Sequence, residues 1–190
     1  MVVPLLSLSM FFADLFFYLY AYNPAGAGKG WKAAVQAWIT AFKTSPVFRK
    51  LFLLAFVISL ILFRTLLNRN LWMNPLSDIM GGWSIWETVN GERQLTTECI
   101  ENVIMLIPFT ALLMWTIGEK IVKRLCFKNI VLKSAETAFC FSLTIELLQL
   151  LLRLGTFQFS DIFYNTLGGM GGGVIYWVWW NLHGTLAESL

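Results

Sequence analysis

The chain has 190 residues, of which 57% are hydrophobic and 13% charged, with a mean hydropathy of +0.66. Soluble domains carry about 25% charged residues, so this composition points to a polytopic membrane protein rather than one large soluble core. A net charge of +3 is too small and too scattered for nucleic-acid binding, and Cys99, Cys126 and Cys140 have no metal-ligand spacing, so they read as small apolar packing residues.

Residues 2–20 are apolar apart from Asp14 and two serines and form a first expected span. A cleaved signal peptide is the competing reading, but no Lys or Arg precedes the run and Asp14 sits in its middle. In the next segment Trp31, Ala34, Val35, Trp38, Ile39 and Phe42 fall on one helical face, with Lys32, Gln36, Thr40 and Lys43 on the other. This predicts an amphipathic helix lying in the cytoplasmic interface with its lysines toward anionic headgroups. A helix packed on the bundle is the alternative. Residues 47–67 form the second span and 100–117 the third, with Pro108 inside it, as membrane helices tolerate. Residues 132–152 form the fourth. Residues 162–180 form the fifth, ending in an aromatic belt of Trp177, Trp179 and Trp180. The expected fold is therefore an all-α polytopic membrane helix bundle, one domain over residues 1–190, with about five transmembrane helices and one interfacial helix.

Positive charge orients it. Residues 23–50 carry Lys29, Lys32, Lys43, Arg49 and Lys50, and residues 118–133 carry Lys120, Lys123, Arg124, Lys128 and Lys133. Residues 68–97 hold only Arg69 and Arg93. The two basic loops are expected in the cytoplasm, with the N-terminus outside and the C-terminus inside. The Trp-rich loop (Trp72, Trp83, Trp86) with its turn signals Asn74-Pro75 and Gly81-Gly82 then lies outside.

Chemistry concentrates near the fourth and fifth spans. Glu146, Gln149 and Arg153 lie at i, i+3 and i+7, within about 60° of one another on a helix. Asp161, Asn165, Gly168 and Gly172 repeat such spacing on the next helix. An ionisable group inside an apolar helix costs about 2.5–3.5 kcal/mol on insertion scales, so these need partners or a watery cleft. Arg64, Glu98, Glu101 and Asn102 reach the same outer end. One reading is an outward-opening polar cleft in which Arg64, Glu146, Gln149, Arg153, Asp161 and Asn165 bind a ligand. The other is a set of salt bridges locking the bundle, with Glu146 coupled to Arg153 and Asp161 capping the fifth helix. Glu146 and Asp161 are also the candidates for acid and base, should the protein be an enzyme. Gly168, Gly169 and Gly172 belong to two overlapping GxxxG spacings, which mark close approach by a neighbouring helix, expected to be the fourth span. Nothing implies a cofactor or a metal; His183, the sole histidine, is expected in the cytoplasmic tail.

The pattern Glu146-x2-Gln149, Arg153-x-Gly155-x-Phe157, then Asp161-x3-Asn165-x2-Gly168-x3-Gly172 resembles the signature of the VanZ-like family of bacterial integral membrane proteins. Arg64-Thr65-Leu66, Asn74-Pro75-Leu76 and the segment Asn102 to Phe109 resemble its earlier parts, so the similarity covers residues 56–177. Many relatives carry acidic residues where Gln158 and Ser160 stand here. The resemblance implies a multi-pass protein of the bacterial cell membrane with an envelope role, the founding member being linked to teicoplanin resistance. Its expected partners are membrane lipids and a lipid-linked wall intermediate or lipophilic antibiotic. A membrane enzyme acting on a lipid-linked substrate, or a small transporter, are the alternatives.

Overall fold

A computed structural model describes residues 31–67, 71, 74–89 and 92–187. The expected first span, with Asp14, lies outside the described residues. Contacts divide the chain into two compact units, residues 1–60 and 61–190.

In the first unit, α1 (Trp31–Thr44) is the expected amphipathic helix, and α2 (Pro46–Leu62) follows after a single residue. Ser45 makes so sharp a break possible. Its hydroxyl accepts the Phe48 N–H at 3.2 Å, and Pro46 takes the first helical position, where a missing N–H is harmless. Arg49 donates to the Phe42 and Lys43 carbonyls at the end of α1. Trp38 stacks on Phe42 at 5.3 Å and meets Phe52 edge-on at 5.4 Å, closing the turn with aromatic rings.

The second unit begins in the last residues of α2, which continue as a widened π-helical turn, Phe63–Leu67. A short antiparallel hairpin follows, β1 (Trp86–Val89) on β2 (Glu92–Leu95), with Trp86 opposite Leu95. No alternating pattern in the sequence announced it. Three long helices complete the fold: α3 (Glu98–Ile121), α4 (Phe127–Leu152) and α5 (Phe159–Ala187). Each begins before and, except α4, ends after its expected span, because the flanking polar turns stay helical. Apart from the short hairpin, the fold is a helical membrane bundle. Among the described residues, three helices are long and apolar enough to cross a bilayer, residues 46–66, 98–121 and 127–152. With 29 residues α5 is about 43 Å long, and it is rich in glycine, tryptophan and tyrosine, which rank low in hydropathy.

α5 lies between α3 and α4, which touch each other far less than either touches α5. Its glycines allow this. A side chain at Gly168 or Gly172 would run into the α3 backbone at Val103 or Ile107, and one at Gly169 or Gly173 would run into Ala138 or Ser134 of α4. The glycines therefore serve two neighbours, the third span as well as the expected fourth. Gly171 points elsewhere: a Cβ there would meet only the Ile107 side chain, at an ordinary 3.5 Å.

Gly172→Ala should therefore lower the melting temperature in detergent, by an overpacking penalty of about 1–3 kcal/mol. Gly171→Ala should leave it unchanged or raise it slightly, since alanine is the better helix former by about 1 kcal/mol. Equal losses at both positions would mean that glycine is needed for something other than close helix approach.

Candidate functional site

The α4–α5 interface is antiparallel and advances by one turn of each helix per step. Ser134 packs at Gly173, Ala138 at Gly169, and the Asn165 amide donates to the Ser142 hydroxyl at 2.8 Å. One further turn in the same register brings Glu146 level with Asp161. The seam thus passes from small residues to polar ones to two carboxyl groups as it nears the α4–α5 link.

Each polar group there is tied to a different element. Glu146, 3% exposed, accepts the Gln158 backbone N–H at 2.8 Å. Asp161, in the first turn of α5, accepts from the Asn102 amide of α3 at 2.8 Å. Gln149, also 3% exposed, donates to the Thr65 carbonyl of the π-turn at 2.8 Å. That carbonyl lies in the last turn of its helix, where carbonyls lack intrahelical donors. Arg64 pairs with Glu101, which also accepts from the Thr97 hydroxyl. This pair is exposed, at 62% and 48%, so it adds little stability. Glu98 is exposed beside it in the first turn of α3.

Arg153 stands apart. α4 ends at Leu152, and Arg153 adopts a left-handed conformation (φ 54°) as the helix terminates, while Leu154 N–H returns to the Gln149 carbonyl. Its side chain is exposed, and no ion pair joins it to Glu146 among the described residues. The i, i+7 relation that placed the two on one face holds only while the helix continues.

Several residues of the site carried no clear signal in the sequence. The segment 75–80 lies along the link: Phe157, Phe159 and Ser160 N–H groups donate to the carbonyls of Pro75, Ile79 and Met80. Asp78 accepts from the Gln158 side chain at 2.9 Å. Gly81, with φ 70°, lets this segment approach Ser160 so closely that any Cβ would collide with the serine hydroxyl. The Tyr164 hydroxyl donates to the Trp83 carbonyl, and Trp83 packs on Phe163 at 5.4 Å. The Asn74-Pro75 and Gly81-Gly82 turn signals were the available hint that this segment is ordered.

Ser160 and Asn165 are 1% and 4% exposed, and among the described residues the Ser160 hydroxyl and the Asn165 amide oxygen have no hydrogen-bond partner. Leaving a buried polar atom unpaired costs about 1–3 kcal/mol. At the far end of α5, His183 is exposed and helical, and its Nδ1 lies 2.9 Å from the Trp179 carbonyl. It takes no part in the cluster.

A family model described as VanZ/LLP1 matches residues 32–180. No curated protein and no solved structure matches the chain.

Proposed function

The chain belongs to the VanZ/LLP1 family, and from that premise we propose that it is a bacterial envelope protein whose carboxylate-bearing end binds the polar head of a lipid-linked wall intermediate or a lipophilic antibiotic of the teicoplanin kind. The observation that carries the reading is the pair of buried atoms, Ser160 Oγ and Asn165 Oδ1, that have no hydrogen-bond partner among the described residues and lie at the end where Glu146, Gln149 and Asp161 are each bonded to another element; Ser134 Oγ, at the glycine seam, is a third such atom. A scaffold alone gains nothing from them; a ligand's hydroxyl or amide groups would satisfy both. Arg64, held only by an exposed pair, and Arg153, exposed on its left-handed turn, are the cations available to an anionic headgroup. Glu146, Gln149 and Asp161 position the elements around it.

A second reading has one observation in its favour. Continuing the seam register brings Glu146 level with Asp161, and an acid and a base drawn from these two carboxyl groups would suit an enzyme acting on the same lipid-linked substrate. Comparing the lipids of membranes with and without the protein separates the two: turnover alters a lipid species, whereas binding leaves the lipidome unchanged and one lipid co-purifying.

The proposed orientation puts this end outside, with the Lys123 loop in the cytoplasm. On a cysteine-free background, a cysteine introduced at Trp83 should react with an impermeant thiol reagent on intact cells, and one at Lys123 should not. Labelling at position 123 would reverse the orientation and move the site to the cytoplasmic face.

Binding is tested with the purified protein in nanodiscs, titrated separately with a lipid-linked wall precursor and with teicoplanin. Arg153→Gly removes the cation and relaxes the left-handed backbone, so its melting temperature should hold or rise. Binding should nevertheless weaken about ten-fold, the worth of one charged hydrogen bond. Asn165→Ala should weaken binding similarly. Unchanged affinity in both variants, or no binding by the wild type to either probe, would leave the polar end as scaffold only.

A further inference from the structure

The opposite end of α3 and α4 carries a groove that the polar cluster does not involve. It lies between the last turn of α3, the residues just after it, and the first three turns of α4, and it is open with a volume of about 320 Å³. Val122 and Leu132 supply its apolar side; Lys123, Asn129, Lys133 and Glu136 supply its polar side. Leu132 is 55% exposed, an apolar side chain left facing the surroundings beside two ammonium groups.

The charge balance decides what would enter. From Glu119 to Glu136 the sequence carries five cations (Lys120, Lys123, Arg124, Lys128, Lys133) against those two carboxylates, a net of +3 (five minus two). Lys133 is held at 2.8 Å by Glu136. Lys123 is exposed and has no carboxylate partner among the described residues. Asn129 spends its amide N–H on the Arg124 carbonyl, 3.1 Å away, which orders the basic turn.

Depth decides the kind of anion. α3 and α4 are both long and apolar enough to cross a bilayer, and the groove is where they end. α4 has 26 residues, about 39 Å of helix against a hydrocarbon core of about 30 Å. Lys133 lies six residues into it, about 9 Å along the axis; with the overhang shared between the two ends, its Cα is about 4–5 Å inside the hydrocarbon boundary, within reach of the headgroups for a lysine side chain. An ammonium on a long aliphatic stem is suited to that boundary.

We infer that this groove binds an anionic phospholipid of the leaflet it faces, Lys123 and Lys133 contacting the headgroup phosphate and an acyl chain lying over Leu132. A zwitterionic lipid brings the same phosphate but adds a cation that the lysines repel, and Glu136, already engaged by Lys133, is poorly placed to receive it. The inference is independent of the ligand at the carboxylate end, since no residue is shared.

Native mass spectrometry of the purified full chain, titrated with phosphatidylglycerol and with phosphatidylcholine, tests it. The wild type should retain phosphatidylglycerol in preference, and each lysine replaced in Lys123→Gln/Lys133→Gln should weaken that retention about five-fold. Arg93→Gln, on β2 and outside the groove, is the control and should retain phosphatidylglycerol as the wild type does. Lys123→Gln alone keeps the test decisive if freeing Glu136 unsettles the fold, because among the described residues Lys123 bonds no other side chain. Equal retention of the two lipids, wild-type retention by the Lys123 variants, or an equal loss in the Arg93 control would each overturn the assignment.

Discussion

Everything in residues 61–190 depends on how closely α5 approaches two other helices at once. Successive residues on a helix are about 100° apart. Gly168 and Gly172 therefore face one neighbour, and Gly169 and Gly173, one position later, face another. Removing four side chains lets the α3 backbone and the small residues of α4 close on the same helix from two directions. In a bilayer, where lipid tails are as apolar as the helices, such packing replaces the hydrophobic effect as the force holding helices together.

That approach has a consequence for chemistry. Because the α4–α5 seam keeps one register from Ser134 to Glu146, closing it with glycine and alanine at one end fixes what meets at the other. Asn165 reaches Ser142, and Asp161 comes level with Glu146. The carboxyl groups are then bonded sideways, Glu146 to the Gln158 backbone and Asp161 to Asn102. The segment 75–80 adds its carbonyls to the same link. Four consecutive N–H groups, Phe157 to Ser160, thereby find acceptors: the Glu146 carboxylate takes the Gln158 N–H, and the carbonyls of Pro75, Ile79 and Met80 take the other three. The exposed cations at the edge, by contrast, are held loosely or, among the described residues, by no carboxylate at all.

Much of this was legible in the sequence. Apolar runs located the long helices, the α1 periodicity gave its extent to within two residues, and the motif resemblance read over 56–177 is matched by the family over 32–180, so that it takes in α1 as well. What escaped did so for physical reasons. The partners of the glycines follow from a rotation of one residue, which a GxxxG spacing taken as a single motif conceals. Arg153 was placed with Glu146 by helical periodicity, and periodicity fails where the helix stops; Gly155, two residues on with φ 133°, marked that stop. Gln149 bonds a backbone carbonyl, and no side-chain pattern advertises a carbonyl. Ser142 and Ser160 are small polar residues in apolar runs, indistinguishable by composition from ordinary packing serines.

The central claim is that Glu146 organises the α4–α5 link into a bonded layer rather than lining an empty cleft. Hydrogen–deuterium exchange at Phe157 to Ser160, measured on the protein in nanodiscs, reads this directly. The account predicts that all four amides are protected in the wild type, and that Glu146→Ala deprotects Gln158 first and most while α5 stays protected beyond Asn165. Exchange of the four amides at unprotected rates in the wild type, or at the same slow rates with and without the Glu146 carboxyl group, would contradict it.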